Sequence, residues 1–333
     1  MRVLVLGHQD VLTALTPEAC ADTMAAALAG HARGESFMPL RSVMAPPGAA
    51  GFMGLMPGWH AAQDDSPSAF GLKTVCIMPG NPARGMDAHQ GLVTLFDGET
   101  GIPTAILDAA ALTEVRTAAV SAVATGLLAR QDAATLAILG AGTQAHAHLR
   151  ALAWTRPFEQ VRIYAPTREH AQALAASAAA RYGQLHISVA ASAQEALRDA
   201  DVVVTATSAR EPVLRRDWLA PGAHVNAVGA STPRFREIDT ATVAASALYC
   251  DSRESLRNEA GEFQLAVAEQ LIPGEEHVRG ELGEVLAGTA PGRQDDSELT
   301  LFRSLGLAIE DLAAAERAIS EAVANGIGTQ VDL

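Results

Sequence analysis

The chain has 333 residues, 49% of them hydrophobic and 19% charged, enough for two domains with sizeable cores, which excludes a globally disordered protein. Its net charge of −14, from 24 basic and 38 acidic residues, argues against nucleic acid as a partner, because phosphate recognition needs a basic surface. The three cysteines, Cys20, Cys76 and Cys250, are too scattered for a disulfide framework or a zinc motif, and they fit a reducing, cytoplasmic setting.

In chain order, residues 3–6 read as a strand rather than as a signal sequence, whose apolar core is longer. Thr16-Pro17-Glu18 marks a helix start, with threonine as N-cap and proline in the first turn, and the helix runs to Gly34. Strand-like pieces at 40–44, 51–56, 69–75, 91–97 and 104–107 follow without long helices between them, which predicts an antiparallel or mixed sheet. Residues 97–101, DGETG, read as a hairpin loop. Asp108 opens a long alanine-rich helix, and no run of about 18 purely apolar residues predicts a membrane span.

From Thr135 strands and helices alternate. Strands are expected at 135–139, 161–164, 186–190, 201–205, 223–228 and 247–250, with helices at 143–154, 168–181, 192–199 and 240–245. This pattern predicts an α/β fold with a doubly wound, mainly parallel sheet of about six strands. Residues 274–296, rich in glycine and glutamate, are expected to be partly irregular, and a last helix is expected from Glu298 onward, returning to the first region.

The most informative stretch is TLAILGAGTQA, residues 135–145. A strand runs into Gly140-Ala141-Gly142-Thr143-Gln144-Ala145, a G-x-G-x-x-A turn, and then into a helix. Glycines at such a turn let the backbone approach a dinucleotide pyrophosphate, whose charge faces the N–H groups and positive dipole of the helix start. The end of the next strand selects the cofactor. It carries no acid to accept from a ribose 2′-hydroxyl; Thr167 and Arg168 follow instead and suit a 2′-phosphate, which favours NADP over NAD.

Of the 24 basic residues only Lys73 is a lysine. In a chain where arginine has replaced lysine elsewhere, a surviving lysine marks a place where a titratable amine is useful, since arginine does not give up its proton. Arg41 in MPLRSVM, Lys73 in GLKTVCIMPGN and Arg116 in ALTEVRTAAVSAVAT are the cations of interest in the first region. The histidines His60, His89, His146, His148 and His224 show no convincing metal spacing.

These segments, together with GLMPGW, GLVTLFDGETGIPTAILDAAAL, ILGAGTQAHAHLRAL, VNAVGASTPRFREID and LFRSLGLAIEDLAAA, give the chain a resemblance to the ornithine cyclodeaminase/mu-crystallin family over nearly its whole length. The resemblance implies a homodimer. It implies a Rossmann domain over 119–305 and a discontinuous α+β substrate and dimerisation domain over 1–118 with 306–333. It implies that Arg41, Lys73 and Arg116 converge on a substrate carboxylate, a role suited to planar guanidinium forks and a proton-passing amine. Asp311 is a further pocket candidate. Cofactor contacts are implied for Gly140, Gly142, Thr143, Gln144, Thr167 and Arg168, for Thr205, Ala206 and Thr207 after the fourth strand of the domain, and for Val228 and Gly229 near the nicotinamide.

The chain departs from the cyclodeaminases of this family at two carboxylates. Gly54 stands where they carry an acid that engages substrate amines, and Ser231 stands where they carry a catalytic aspartate. The expected activity is therefore NAD(P)H-dependent reduction of a small carboxylated imine, most of all a cyclic ketimine such as Δ1-pyrroline-2-carboxylate or Δ1-piperideine-2-carboxylate, with no nucleic acid or membrane partner. An alanine dehydrogenase-like or N-alkyl amino acid-forming enzyme shares this chemistry. Ornithine cyclisation is disfavoured, and a non-catalytic NADPH-dependent ligand binder of mu-crystallin type is the reading from another class.

Overall fold

The computed structural model describes residues 2–62 and 67–332. The chain divides into one unit formed by Met1–Arg116 with Leu307–Leu333 and a second formed by Thr117–Gly306. The first boundary falls inside a helix, and the second lies in the short connection between a strand and a helix.

The first unit begins with strand β1 (Arg2–Leu6), helix α1 (His8–Ala14) and helix α2 (Pro17–Ala32). The sequence motif at the start of α2 works as expected: Thr16 accepts from the Ala19 N–H at 3.2 Å, ahead of proline in the first turn. Six strands follow: β2 (Ser36–Phe37), β3 (Ser42–Met44), β4 (Phe52–His60), β5 (Ala69–Ile77), β6 (His89–Asp97) and β7 (Pro103–Asp108). The β4, β5, β6 and β7 strands form an antiparallel meander, β1 joins β7 in parallel, and β2 and β3 both pair with β4. The β6–β7 hairpin turns at Asp97, whose Oδ1 accepts from Thr100 N at 2.8 Å and Thr100 Oγ1 at 2.6 Å.

Along β5, Ala69, Gly71, Lys73 and Val75 lie on the buried face and Phe70, Leu72, Thr74 and Cys76 on the other, the period of two that a pleated strand imposes. The long helix α3 (Ala109–Leu128) starts where the Asp108 carboxylate accepts from Ala111 N at 2.7 Å. It is apolar and long enough to cross a membrane by composition, but most of it is buried within the protein, as in a core helix.

The second unit contains β8 (Thr135–Leu139), α4 (Thr143–Leu152), β9 (Gln160–Tyr164), α5 (Arg168–Arg181), β10 (His186–Val189), α6 (Ala193–Leu197), β11 (Val202–Thr205), β12 (His224–Ala227), α7 (Thr240–Ala245), β13 (Ala247–Cys250), α8 (Arg253–Glu259), α9 (Gly261–Ala268), β14 (Val278–Glu281), α10 (Leu282–Leu286) and β15 (Thr300–Arg303). The sheet is all parallel, in the order β10-β9-β8-β11-β12-β15-β13-β14. Each face has its own apolar core. Leu136 and Ile138 of β8 enter one, and Ala137 and Leu139 enter the other, as expected when helices cover both faces of a parallel sheet.

Three expectations are corrected here. The sheet has eight strands rather than about six, because β14 and β15 join it; β14 lies, with α10, in the segment expected to be irregular in part. Residues 300–303 are a fully buried strand between β12 and β13, not the start of a helix; TLFR is apolar and short, and its neighbours decide its state. Helices α1, α8 and α9 lie where none was expected.

The chain then returns to the first unit as helix α11 (Ala308–Asn325) and strand β16 (Thr329–Asp332), which pairs antiparallel with β1. Helix α11 packs on β4, β5 and α2. Glycines permit the approach: a Cβ at Gly71 would stand 2.9 Å from Leu312 Cδ1, and one at Gly58 would stand 3.3 Å from the Ala308 Cβ.

Candidate active site

In the first unit, the close approach of α11 to β5 brings charges together in a dry place. Lys73 is 4% exposed, Arg116 4%, Asp311 1% and Glu310 0%. Lys73 Nζ donates to Asp311 Oδ1 at 3.1 Å and to Thr113 Oγ1 at 2.6 Å. The Thr113 hydroxyl spends its own proton on Ala109 O, one helical turn back, so it accepts from the lysine. Arg116 donates through Nε to the same Asp311 oxygen at 2.9 Å and through Nη1 to Glu310 Oε2 at 2.7 Å. Asp311 Oδ1 thus serves both cations, while Asp311 Oδ2 is buried without a hydrogen-bond partner among the described residues.

Burial pushes the Lys73 pKa from its ordinary 10.5 down to about 8, against the pull of Asp311 and with further lowering by Arg116 and Arg41. Asp311 moves the other way overall: burial would raise it, but Arg116 and Lys73 outweigh burial and hold it below the ordinary carboxylate value. Cys20 of α2 lies within the field of this cluster, and burial raises its thiol to about 12, so it is an inert neighbour. Arg41 precedes β3 rather than lying within a strand; it is half-buried and close enough for its charge to depress Lys73. The expected trio of cations is therefore gathered in one unit, with two acids in their midst. Gly54 lies on β4 opposite Val75, where a Cβ would make ordinary contact with the Val75 side chain at 3.5 Å.

In the second unit, the glycine turn has the geometry a pyrophosphate site requires. Gly140 has φ +121°, and a Cβ there would stand 2.3 Å from Ala206 O, so no other residue fits without displacement. Gly142 is the N-cap of α4, makes no side-chain capping bond, and has nothing within 4 Å of where its Cβ would be. The first-turn N–H groups of α4, beginning at Thr143 and Gln144, thus have open space beside Gly142 in which an anion could be received. Thr167 is the N-cap of α5 but its side chain makes no capping bond; Thr167 and the adjacent Arg168 are exposed at the end of β9. Among the described residues no group of three or more His, Cys, Asp or Glu side chains could hold a metal.

At the ends of β11 and β12, Thr205, Thr207 and Gly229 share one buried acid, Glu237. Burial raises the Glu237 pKa, against its hydrogen-bond donors and Arg303. Ala206 and Val228 stand in the same two loops, and Ser231 is exposed just beyond them.

A model of the ornithine cyclodeaminase/mu-crystallin family matches residues 1–326. The chain belongs to this family. It is 40% identical over 294 residues to the ketimine reductase mu-crystallin of Mus musculus, covering 87% of this chain and 88% of the relative. Among solved structures, the Δ1-pyrroline-2-carboxylate reductase of Thermococcus litoralis, in complex with NADH and L-proline, superposes with a TM-score of 0.94 at 34% identity, covering 99% of this chain and 100% of the other. An archaeal alanine dehydrogenase, a dimer with bound NAD, gives a TM-score of 0.92 at 32% identity, with 100% of both chains covered.

Sequence reading missed Thr113, Glu310 and Glu237. Glu310 had a signal: an acid pair set in LGLAIEDLAAA interrupts a stretch whose neighbours are all apolar, and both acids are buried. Charged residues are rarely fully buried unless paired, so two of them in an apolar helix start point to cations elsewhere in the unit. Thr113 and Glu237 carried no such mark.

Proposed function

We propose that the chain reduces a cyclic 2-imino acid, Δ1-pyrroline-2-carboxylate or Δ1-piperideine-2-carboxylate, with NADPH. The observation that carries this reading is the chain's single lysine, buried and held by Thr113 and Asp311 beside Arg116. Bound NADPH supplies the hydride that adds to the C=N carbon.

The chain's own residues do the rest. Arg41 and Arg116 take the substrate carboxylate, where a guanidinium fork matches two oxygens. Lys73 has three ammonium donors, and Thr113 and Asp311 accept from two, which leaves one for the ligand. That proton keeps the imine nitrogen in its positively charged, hydride-accepting form. With a pKa of about 8, Lys73 is charged at neutral pH yet able to pass a proton. Asp311 and Glu310 offset the two buried cations, so the site's surplus charge, that of half-buried Arg41, matches one carboxylate.

On the cofactor side, Gly140 and Gly142 admit the pyrophosphate to the α4 N-terminus, where Thr143 and Gln144 lie. Thr167 and Arg168 take the 2′-phosphate, while Thr205, Ala206, Thr207, Val228 and Gly229 line the nicotinamide half. NADH is the second-choice donor; the two solved relatives described above hold NADH and NAD. The lack of acids at Gly54 and Ser231 sets the chain apart from ornithine cyclisation, which needs a base for the amine and an acid for ammonia loss.

Residues 1–118 with 306–333 are assigned to substrate binding and dimerisation and residues 119–305 to the dinucleotide. A homodimer is supported by the outward face of the first unit's sheet, where Phe70 is 48% and Leu92 52% exposed. NADPH oxidation by the purified protein with each of the two ketimines, and with pyruvate plus ammonia, tests the reading; turnover confined to pyruvate plus ammonia would move it to the alanine dehydrogenase branch.

A further inference from the structure

The loops that follow β8, β11 and β12 meet backbone to backbone. A Cβ at Gly140 would stand 2.3 Å from Ala206 O, and one at Gly229 would stand 2.1 Å from Thr207 O. Glu237, 2% exposed, joins the last two of these loops. Its Oε1 accepts from Thr207 N at 2.6 Å and from Thr207 Oγ1 at 2.7 Å. Its Oε2 accepts from Gly229 N at 2.6 Å and from Thr205 Oγ1 at 2.9 Å. From the carbonyl side, Arg303 donates to Ala227 O at 3.0 Å and also to Ala230 O. The 227–230 segment is thus fixed by an acceptor on its N–H edge and a donor on its C=O edge.

Four short bonds to neutral donors around a buried carboxylate are an expensive way to close two loops, since a buried charge is tolerated only when its lone pairs are satisfied. The location gives the arrangement a purpose. In doubly wound sheets the ligand binds at the carboxyl ends of the strands, where backbone placement within fractions of an ångström decides transfer rates. We infer that Glu237 is a positioning residue: it locks the Thr205–Thr207 and Val228–Gly229 loops in the one register that orients the nicotinamide ring for hydride transfer. The inference rests on the dinucleotide reading above.

Glu237→Gln tests it with almost no change of shape. Each carboxylate oxygen accepts one backbone N–H, so the amide NH2 opposes either Thr207 N or Gly229 N whichever way it turns. In single-turnover experiments with NADPH and ketimine, hydride transfer is expected to slow by about 10- to 100-fold. Affinity for 2′,5′-ADP, which lacks the nicotinamide, is expected to stay within about twofold of wild type. Thr205→Val removes one donor only and is expected to slow transfer by a few fold.

Wild-type transfer rates in Glu237→Gln would overturn the inference, and so would a parallel loss of NADPH and 2′,5′-ADP affinity, which would show a merely structural acid. If Glu237→Gln does not fold, an unchanged transfer rate in Thr205→Val overturns it equally. A wild-type protein that binds neither NADPH nor 2′,5′-ADP would instead overturn the dinucleotide reading, a result independent of either variant.

Discussion

Lys73 Nζ lies 3.1 Å from Asp311 Oδ1, joining an inner strand of one sheet to the first turn of a helix, across 238 residues of chain. Both groups are buried, and their pKa values move in the same downward direction for opposite reasons. Burial lowers Lys73 because the charged form loses water, whereas Asp311 falls because two cations stabilise its carboxylate.

The pH dependence of turnover follows from Lys73. With a folded pKa of about 8 the amine is charged below that value and neutral above it, so kcat/KM is expected to fall as the pH rises through about 8. Lys73→Arg keeps charge but not the titration, and it is expected to be slower and to lose the limb near pH 8 while keeping any limb that the ketimine brings. Profiles of the two proteins on one ketimine check this, since the imine's own ionisation is common to both. A falling limb at the same pH in Lys73→Arg would remove the proton role. Stability has the opposite slope. The unfolded lysine, near 10.5, holds its proton where the folded one has lost it, so the penalty of burying the charge is complete below about 8 and is relieved between about 8 and 10.5.

Asp311→Ala leaves Lys73 and Arg116 short of a shared acceptor. Removing one partner of a buried ion pair typically costs about 3–5 kcal/mol, and a loss of that order is expected in urea unfolding of Asp311→Ala. The native Asp311 carboxylate contributes stability above its ordinary pKa of 3.8, and that contribution is lost as the pH falls toward and below it. Asp311→Asn is therefore expected to flatten the acid limb of the stability curve. An unaltered acid limb would show that the cluster does not depend on this charge.

The two glycines of the turn are expected to separate fold from ligand. At Gly140 a Cβ meets Ala206 O at 2.3 Å and φ is +121°, so Gly140→Ala is expected to destabilise the protein itself. At Gly142 nothing lies within 4 Å of an added Cβ, so Gly142→Ala is expected to keep its melting temperature and lose dinucleotide affinity. Thermal unfolding with and without NADPH reads both; equal NADPH-induced stabilisation in wild type and Gly142→Ala would place the pyrophosphate elsewhere.

Arg168 is the expected source of cofactor choice. Hydrogen bonds to a charged group contribute about 1.5–3 kcal/mol, so Arg168→Ala is expected to lower the NADPH to NADH preference by about 10- to 100-fold. Unchanged affinity ratios would remove Arg168 from the account.

What was legible in the sequence was local. The turn at 140–145, the caps at Thr16 and Asp108, and the hairpin loop at 97–101 are written in neighbouring residues, and the structure realises each. What was not legible depended on distant neighbours. Residues 300–303 read as part of a helix until their strand partners β12 and β13 are known. Glu237 looks like any loop acid, and only the meeting of two strand ends reveals its four donors. The Lys73–Asp311 pair depends on α11 folding back over β5, and Gly71 allows that approach only because no side chain stands there.

The most direct measurement follows the label from NADPH carrying deuterium at both C4 positions into product. With Δ1-pyrroline-2-carboxylate, proline carrying one deuterium at C2 is expected, formed in step with NADPH consumption. Proline free of deuterium, or proline and ammonia formed from ornithine with NAD while both cyclic ketimines remain untouched, would contradict it.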